Sequence, residues 1–338
     1  MASRILVLHA GGTIGMAPAS DGLRPTAGFA DRLREALAGR AGDLPAFDLI
    51  APGAAIDSAN LRPSHWTAIA EPLIAHWNDY DGFVVLHGTD TLAWTASAMS
   101  FLLLGCDKPV IVTGAQIPWQ LPRSDAMANV EAALRFAAQA TFREVMVCFA
   151  GRLLRGNRCQ KVDSTAFEAF DSPRLPALAT LGIDSRPLTG LALPARPRQF
   201  ALPRFDDRAV ALLMVHPGLT ARAVNATLDD PCIRGLILVS YGVGNLPGAD
   251  EALLASLAGA TGRGVVIVNV TQCARGEVAQ DTYAAGAALG RIGVVAGCDL
   301  TPEAAFAKLH VLLATGVSPD AIRSTFATPL CGELTALG

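Results

Sequence analysis

Short, nearly unbroken runs of Val, Ile and Leu alternate along this chain with longer stretches whose apolar residues recur at helical spacing. RILVLH (4–9), FVVLH (83–87), PVIVTG (109–114) and EVMVCF (144–149) read as strands in the first half, and VALLMV (210–215), GLILVS (235–240) and GVVIVNV (264–270) in the second. Strands apolar at successive positions are covered on both faces, as in parallel α/β sheets. Between them 64–80, 91–105, 124–141 and 302–315 read as helices, each opening on Ser, Thr or Pro as a capped N-terminus does. The alternation predicts β-α-β units around a parallel sheet, hence the α/β class. Pro187, Pro194, Pro197 and Pro203 fall in an aperiodic stretch, 181–208. With 338 residues to place, it divides the chain into an N-terminal domain (1–184), a linker (185–208) and a C-terminal domain (209–338).

Two strand ends are rich in turn chemistry. The first is LHAGGTIGM (8–16), and the second is HGTDT (87–91), followed by an amphipathic helix predicted from Thr91. Ligands of open parallel sheets bind outside the carboxyl ends of the strands, so Thr13, Thr89 and Asp90 are expected to face one crevice. A nucleotide reading fails on the letters: AGGTIG is not G-x-G-x-x-G, twenty residues beyond Gly15 lies Glu35 inside a predicted helix, and no G-x-x-x-x-G-K-[ST] occurs.

Composition narrows the chemistry further. A net charge of −3 and the lack of a basic run exclude nucleic acid as a partner, and no apolar run is long enough for a membrane span. The N-terminus, MASRILVLHAGG, reads as a buried strand and not as a signal peptide, which places the protein in the cytoplasm. Seven cysteines without a C-x-x-C pair, and six histidines without metal spacing, predict free thiols, no metal and no cofactor. Of 27 basic residues only Lys108, Lys161 and Lys308 are lysine. In a chain that writes Arg for most of its positive charge, a Lys marks a place where an amine able to lose its proton is useful. Lys308, in PEAAFAKLHVLLA, reads as a helix-surface charge; Ser124 and Asp125 read as caps of the helix that follows them.

At this point the motifs resemble a family, the bacterial L-asparaginases, and most closely their cytosolic type I branch. The resemblance rests on AGGTIGM (10–16), IDSANL (56–61), DYDGFVVLHGTDTLAWTASAMSFLL (79–103), KPVIVTGAQIP (108–118), RSDAMANV (123–130), RGNRCQK (155–161), SYGVGNLP (240–247) and VNVTQCARG (268–276). It implies a larger N-terminal parallel or mixed sheet with helices on both faces and a smaller, Rossmann-like C-terminal α/β domain. It also implies a two-step amidohydrolase: Thr13 attacks the side-chain amide of asparagine, ammonia leaves, and water hydrolyses the acyl-enzyme. Thr89, Asp90 and Lys161 form the accompanying hydroxyl, carboxylate and amine set, with Lys161 drawing the proton from Thr89. Ser58 takes the substrate carboxylate, Asp57 and Asp90 its ammonium, and Gly88 and the main chain of Ala115 line the amide. Asn245 reaches a neighbouring subunit's site, since family members assemble as homodimers or homotetramers with sites at dimer contacts. Apart from the resemblance, Ser58 also reads as a turn residue or helix cap.

Two departures modify that expectation. The family carries a Tyr on the loop after the first strand that receives the proton of the nucleophile, and here GLRPTAG (22–28) has Leu23. Leucine takes no proton. Tyr80, Tyr241 and Tyr283 are the only tyrosines available as replacements, and Arg24 is positioned to reorganise the loop. A glutaminase or other side-chain amidase of the same mechanism, and a catalytically weak amino-acid sensor, therefore stand as alternatives. The effector site of some type I enzymes uses an Arg just before S-Y-G-V-G-N and a Thr near the catalytic Lys. Val239, Cys159 and Gln160 stand in that region here, so weak or absent activation by asparagine is expected.

Overall fold

The structure is a computed structural model, which describes residues 3–20, 22–26, 28–38, 44–282 and 284–336. The chain forms two compact units, Met1–Leu202 and Pro203–Gly338. In the first, an eight-stranded sheet runs in the order Ser185–Pro187, Ala179–Leu181, Arg152–Arg155, Val145–Phe149, Val110–Thr113, Gly82–Leu86, Arg4–His9, Ala46–Ile50. The last five of these are parallel, and the first three are added antiparallel. Val7, Val84, Ile111 and Met146 lie side by side across it, all buried. Parallel pairing brings the carboxyl ends at His9, Leu86 and Thr113 to one edge, so the turns that follow them are neighbours.

The expected strands are all present. Four more in this sheet, Ala46–Ile50, Arg152–Arg155, Ala179–Leu181 and Ser185–Pro187, are short or charged and were not evident in the hydrophobic pattern. The last of them falls in the stretch expected as a linker. Nearby, Gln199–Phe200 pairs with Leu103–Leu104 in a separate two-stranded ladder.

The helix after HGTDT corrects an expectation. It spans Leu92–Leu102 and is not amphipathic, since every residue except Trp94 is buried. Its far side is covered by the helix Pro63–Ala75 and by the turn Gly156–Arg158, which a reading of local spacing does not foresee.

The second unit is a four-stranded parallel sheet, ordered Val210–Met214, Gly235–Ser240, Val266–Thr271, Val295–Ala296, with a core of its own. Its helices include Ala221–Leu228, Glu251–Gly262 and Pro302–Ala314. Lys308, expected on the surface of the last of these, is instead buried. Its Nζ lies 2.6 Å from Glu333 Oε1 and donates to the carbonyls of Phe326 (2.7 Å) and Thr328 (2.8 Å). The helix buries both of its faces, and the partner that makes this tolerable is 25 residues away. No helix among the described residues is long and apolar enough to cross a membrane.

Candidate active site

Three loops meet at the carboxyl edge of the first sheet. Ile56 N donates to Ala10 O, and Gly12 N donates to Ile56 O, which zips the 10–12 turn against the 56–58 segment. Gly11 (φ 132°) and Gly12 (φ 95°) adopt backbone angles that a side chain strains. A Cβ on Gly88 would fall 2.4 Å from Ser58 Oγ and 3.0 Å from Gly12 Cα. Thr13 and Thr89 are therefore the residues that directly follow two touching glycines. Thr13 opens the 3-10 turn Thr13–Gly15 and is half-buried, and Thr89 is buried. The Thr91 hydroxyl donates to Ser58 O at 2.9 Å, which fastens the third loop.

Lys161 approaches Thr89 and Asp90 from elsewhere in the unit. It sits on a short strand, Gln160–Lys161, paired antiparallel with Phe170–Asp171. Its Nζ lies 2.9 Å from Thr89 Oγ1 and 2.8 Å from Asp90 Oδ1. A proton can pass between hydroxyl and amine at that separation. The Lys161 side chain is only 22% exposed, while that of Asp90 is 61% exposed, so one end of the set is shielded and the other faces solvent.

The remaining predicted residues divide between the units. Asp57 accepts from Ala59 N (3.2 Å) and from Asn60 Nδ2 (3.1 Å), so it, and not Ser58, caps the Ser58–Asn60 turn. Ser58 is buried against Gly88. Ala115 is buried, in a turn whose Gly114 packs on the His87 carbonyl. Asn245 belongs to the second unit, in a turn where Tyr241 and Asn245 exchange backbone hydrogen bonds and Asn269 Nδ2 donates to Gly244 O at 2.9 Å. Leu23 lies on the hairpin of Met16–Ala19 and Gly22–Pro25, and is 44% exposed. Of the three tyrosines, Tyr80 donates its hydroxyl to Asp48 (3.0 Å) ahead of the Gly82–Leu86 strand, at the end opposite Thr89. Tyr241 is in the second unit, and Tyr283 is outside the described residues.

Sequence reasoning missed two histidines at the strand ends. His87 Nδ1 donates to the Gly88 carbonyl at 2.8 Å, which leaves Nε2 to accept from the Thr95 hydroxyl at 3.0 Å and fixes the tautomer. His9 packs on Phe29, with ring centroids 4.6 Å apart, and lies beneath Gly15. Burial pushes both imidazoles down to about 4, so both are neutral supports and not charges near neutral pH. The repeated Leu-His preceding each threonine turn was the available signal. Asp125 is also corrected: its carboxylate caps no backbone N–H of the helix it precedes, and accepts instead from Gln116 N and Ile117 N, all at 3.0 Å. Ser124 Oγ, by contrast, accepts from Ala126 N at 3.2 Å.

Among the described residues no group of three or more His, Cys, Asp or Glu side chains is placed to hold a metal ion, and all seven cysteines are free. The arrangement offers two hydroxyls on touching loops, one of them sharing an amine with a carboxylate. That is the equipment for acyl transfer.

Residues 4–189 match the family described as "Asparaginase, N-terminal", and residues 209–326 match "Glutaminase/Asparaginase C-terminal domain". The chain belongs to the asparaginase family. It is 42% identical to L-asparaginase 1 of Escherichia coli (strain K12) over 332 residues, 98% of each chain. The crystal structure of L-asparaginase I from Vibrio cholerae superposes with a TM-score of 0.90 at 37% identity, covering 99% of this chain and all of that one. A 60 kDa lysophospholipase of Homo sapiens is 38% identical over 98% of this chain, which spans 61% of that longer protein.

Proposed function

We propose that this chain hydrolyses L-asparagine to L-aspartate and ammonia through an ester on Thr13. The Thr13 hydroxyl attacks the side-chain amide carbon, its proton passes to the amide nitrogen, and the C–N bond breaks to release ammonia. Water then attacks the ester, gives up a proton, and returns Thr13 to its hydroxyl form. The observation that carries this reading is Lys161 Nζ at 2.9 Å from Thr89 Oγ1 with Asp90 behind it, a hydroxyl coupled to an amine beside the nucleophile's loop. With Leu23 where a proton-accepting tyrosine would stand, Thr89 and Lys161 serve both displacements. Backbone N–H groups at Thr13 and Thr89 support the oxyanion, each such donor being worth about 3 to 4 kcal/mol in acyl-transfer sites.

Ser58 and neighbouring main chain receive the substrate carboxylate, and Asp57 and Asp90 its ammonium. Gly88 leaves room for the amide, which the main chain of Ala115 meets. No cofactor is required. The working assembly is a homodimer or homotetramer in the cytoplasm, with Asn245 contributed to a neighbouring copy's site; seven free thiols suit a reducing compartment.

Ammonia release from L-asparagine, L-glutamine, their D-forms and β-aspartyl peptides tests the reading, run on wild type beside Thr13→Ala and Lys161→Met. L-Asparagine should be turned over best, with kcat lower by about 10²- to 10⁴-fold in Lys161→Met and lower still in Thr13→Ala. Preference for glutamine would move the enzyme to the glutaminases. Saturable binding without turnover would make it a sensor.

A further inference from the structure

We propose that Asp125, together with Asn129, is a positioning residue for this reaction: it sets a strut that fixes the spacing between the Thr13 turn and the Thr89–Asp90–Lys161 set. The inference rests on the reading of those residues given above. The strut is the turn following the Val110–Thr113 strand. Trp119 N donates to Ile14 O (3.3 Å), one residue from Thr13. Gln116 Nε2 donates to Ala166 O (3.1 Å), in the loop that joins the Lys161 strand to its partner Phe170–Asp171. One turn thus touches the nucleophile's turn at one end and the lysine's ladder at the other.

Asp125 holds the middle of that turn. Besides Gln116 N and Ile117 N, its carboxylate accepts from Asn129 Nδ2 at 3.0 Å, and hydrogen bonds to an ionised acceptor are the stronger kind. Asn129 is buried and engages the strut with both ends of its amide. Its Nδ2 also donates to Gly114 O, and its Oδ1 accepts from Ala150 N, both at 3.0 Å. The residues on either side of Ala115 are therefore both tied down. Arg123, with φ of 64°, bends the chain through the left-handed region just ahead of Asp125, a strain that persists only where the surroundings enforce it. A residue at this position ordinarily caps its helix. Here Ser124 does so, which releases the carboxylate to face the strut.

Spacing between reacting groups governs the chemical step more than substrate capture, and a misplacement of about 1 Å lowers the rate about 10²-fold. The residues that would bind the asparagine carboxylate and ammonium lie chiefly on the 56–58 loop, which makes none of these bonds. Steady-state kinetics of Asp125→Asn and Gln116→Met, with active fraction and melting temperature measured on each, test the strut. Expected is a kcat per folded molecule lower by about 10- to 100-fold in Asp125→Asn and a smaller loss in Gln116→Met, with KM within about 3-fold of wild type in both. Unchanged kcat per folded molecule in Asp125→Asn, beside an inactive Thr13→Ala, overturns the strut and leaves the site reading intact. Full activity in Thr13→Ala removes the reading and the strut with it. If Asp125→Asn does not fold, Gln116→Met decides, and an unchanged kcat there overturns the inference.

Discussion

A Cβ on Gly12 would lie 2.2 Å from the backbone nitrogen of Gly88, so the glycines that precede Thr13 and Thr89 are in main-chain contact. Both the contact and the φ of 95° at Gly12 exclude a side chain. Gly12→Ala should lower kcat/KM by at least about 10²-fold and destabilise the protein by about 1 to 3 kcal/mol. Gly53, where a Cβ meets nothing within 4 Å, is the matched control, and Gly53→Ala should stay within about 0.5 kcal/mol of wild type. Ammonia release and denaturant titration of the two variants check the contrast.

Lys308 and Glu333 form a buried ion pair in the second unit, and Glu333 also accepts from Leu330 N and Cys331 N. Removing one partner leaves the other charge without its counterion. Lys308→Met should cost about 3 to 5 kcal/mol, and the double variant Lys308→Met/Glu333→Gln should recover part of that loss. Guanidinium midpoints of the single and double variants read the difference. A double variant as unstable as the sum of its parts would show the pair to be uncoupled.

Acid should destabilise the fold through its buried histidines. His9, His87 and His310 are all pushed by burial to about 4 from an ordinary value of 6.5. Between those limits the unfolded chain binds protons that the folded one refuses, so stability is lost as pH falls from about 6.5 toward 4, by up to about 1.4 kcal/mol per pH unit for each group. Glu144, driven upward by burial against the pull of Arg155, works in the opposite sense. Denaturant midpoints measured across this window should fall with pH, and fall less steeply in His87→Gln than in wild type.

Regulation by the substrate itself should be weak or absent. Val239, at the place where the effector site of related enzymes has an arginine, is 3% exposed within the strand Gly235–Ser240 and offers no donor to a carboxylate. Initial rates against asparagine concentration should be hyperbolic, with a Hill coefficient of about 1.

The repeated apolar runs made the parallel core of both sheets legible, because strands covered on two faces announce themselves in composition alone. The charged ends of Arg152–Arg155 and the shortness of Ala179–Leu181 hid the antiparallel margin, which is specified by pairing and not by pattern. Local spacing suggested a solvent face for the Leu92–Leu102 helix and for Lys308; each was covered by a segment remote in sequence. The motif letters pointed to the residues that converge at the sheet edge. Asp125 was read as a cap and His87 was missed because their roles are defined by the turns they hold, and a single line of letters does not say which turn a carboxylate or an imidazole will face.

The helix beginning two residues after Asp90 has almost no solvent side, so the loop before it inherits the rigidity of the interior. Adaptation to another amide would then be drawn from the parts that water already reaches, the exposed hairpin with Leu23 and the turn of Ala59 and Asn60. Libraries randomised there would return altered selectivity, whereas libraries at 92–102 would mostly return insoluble chains.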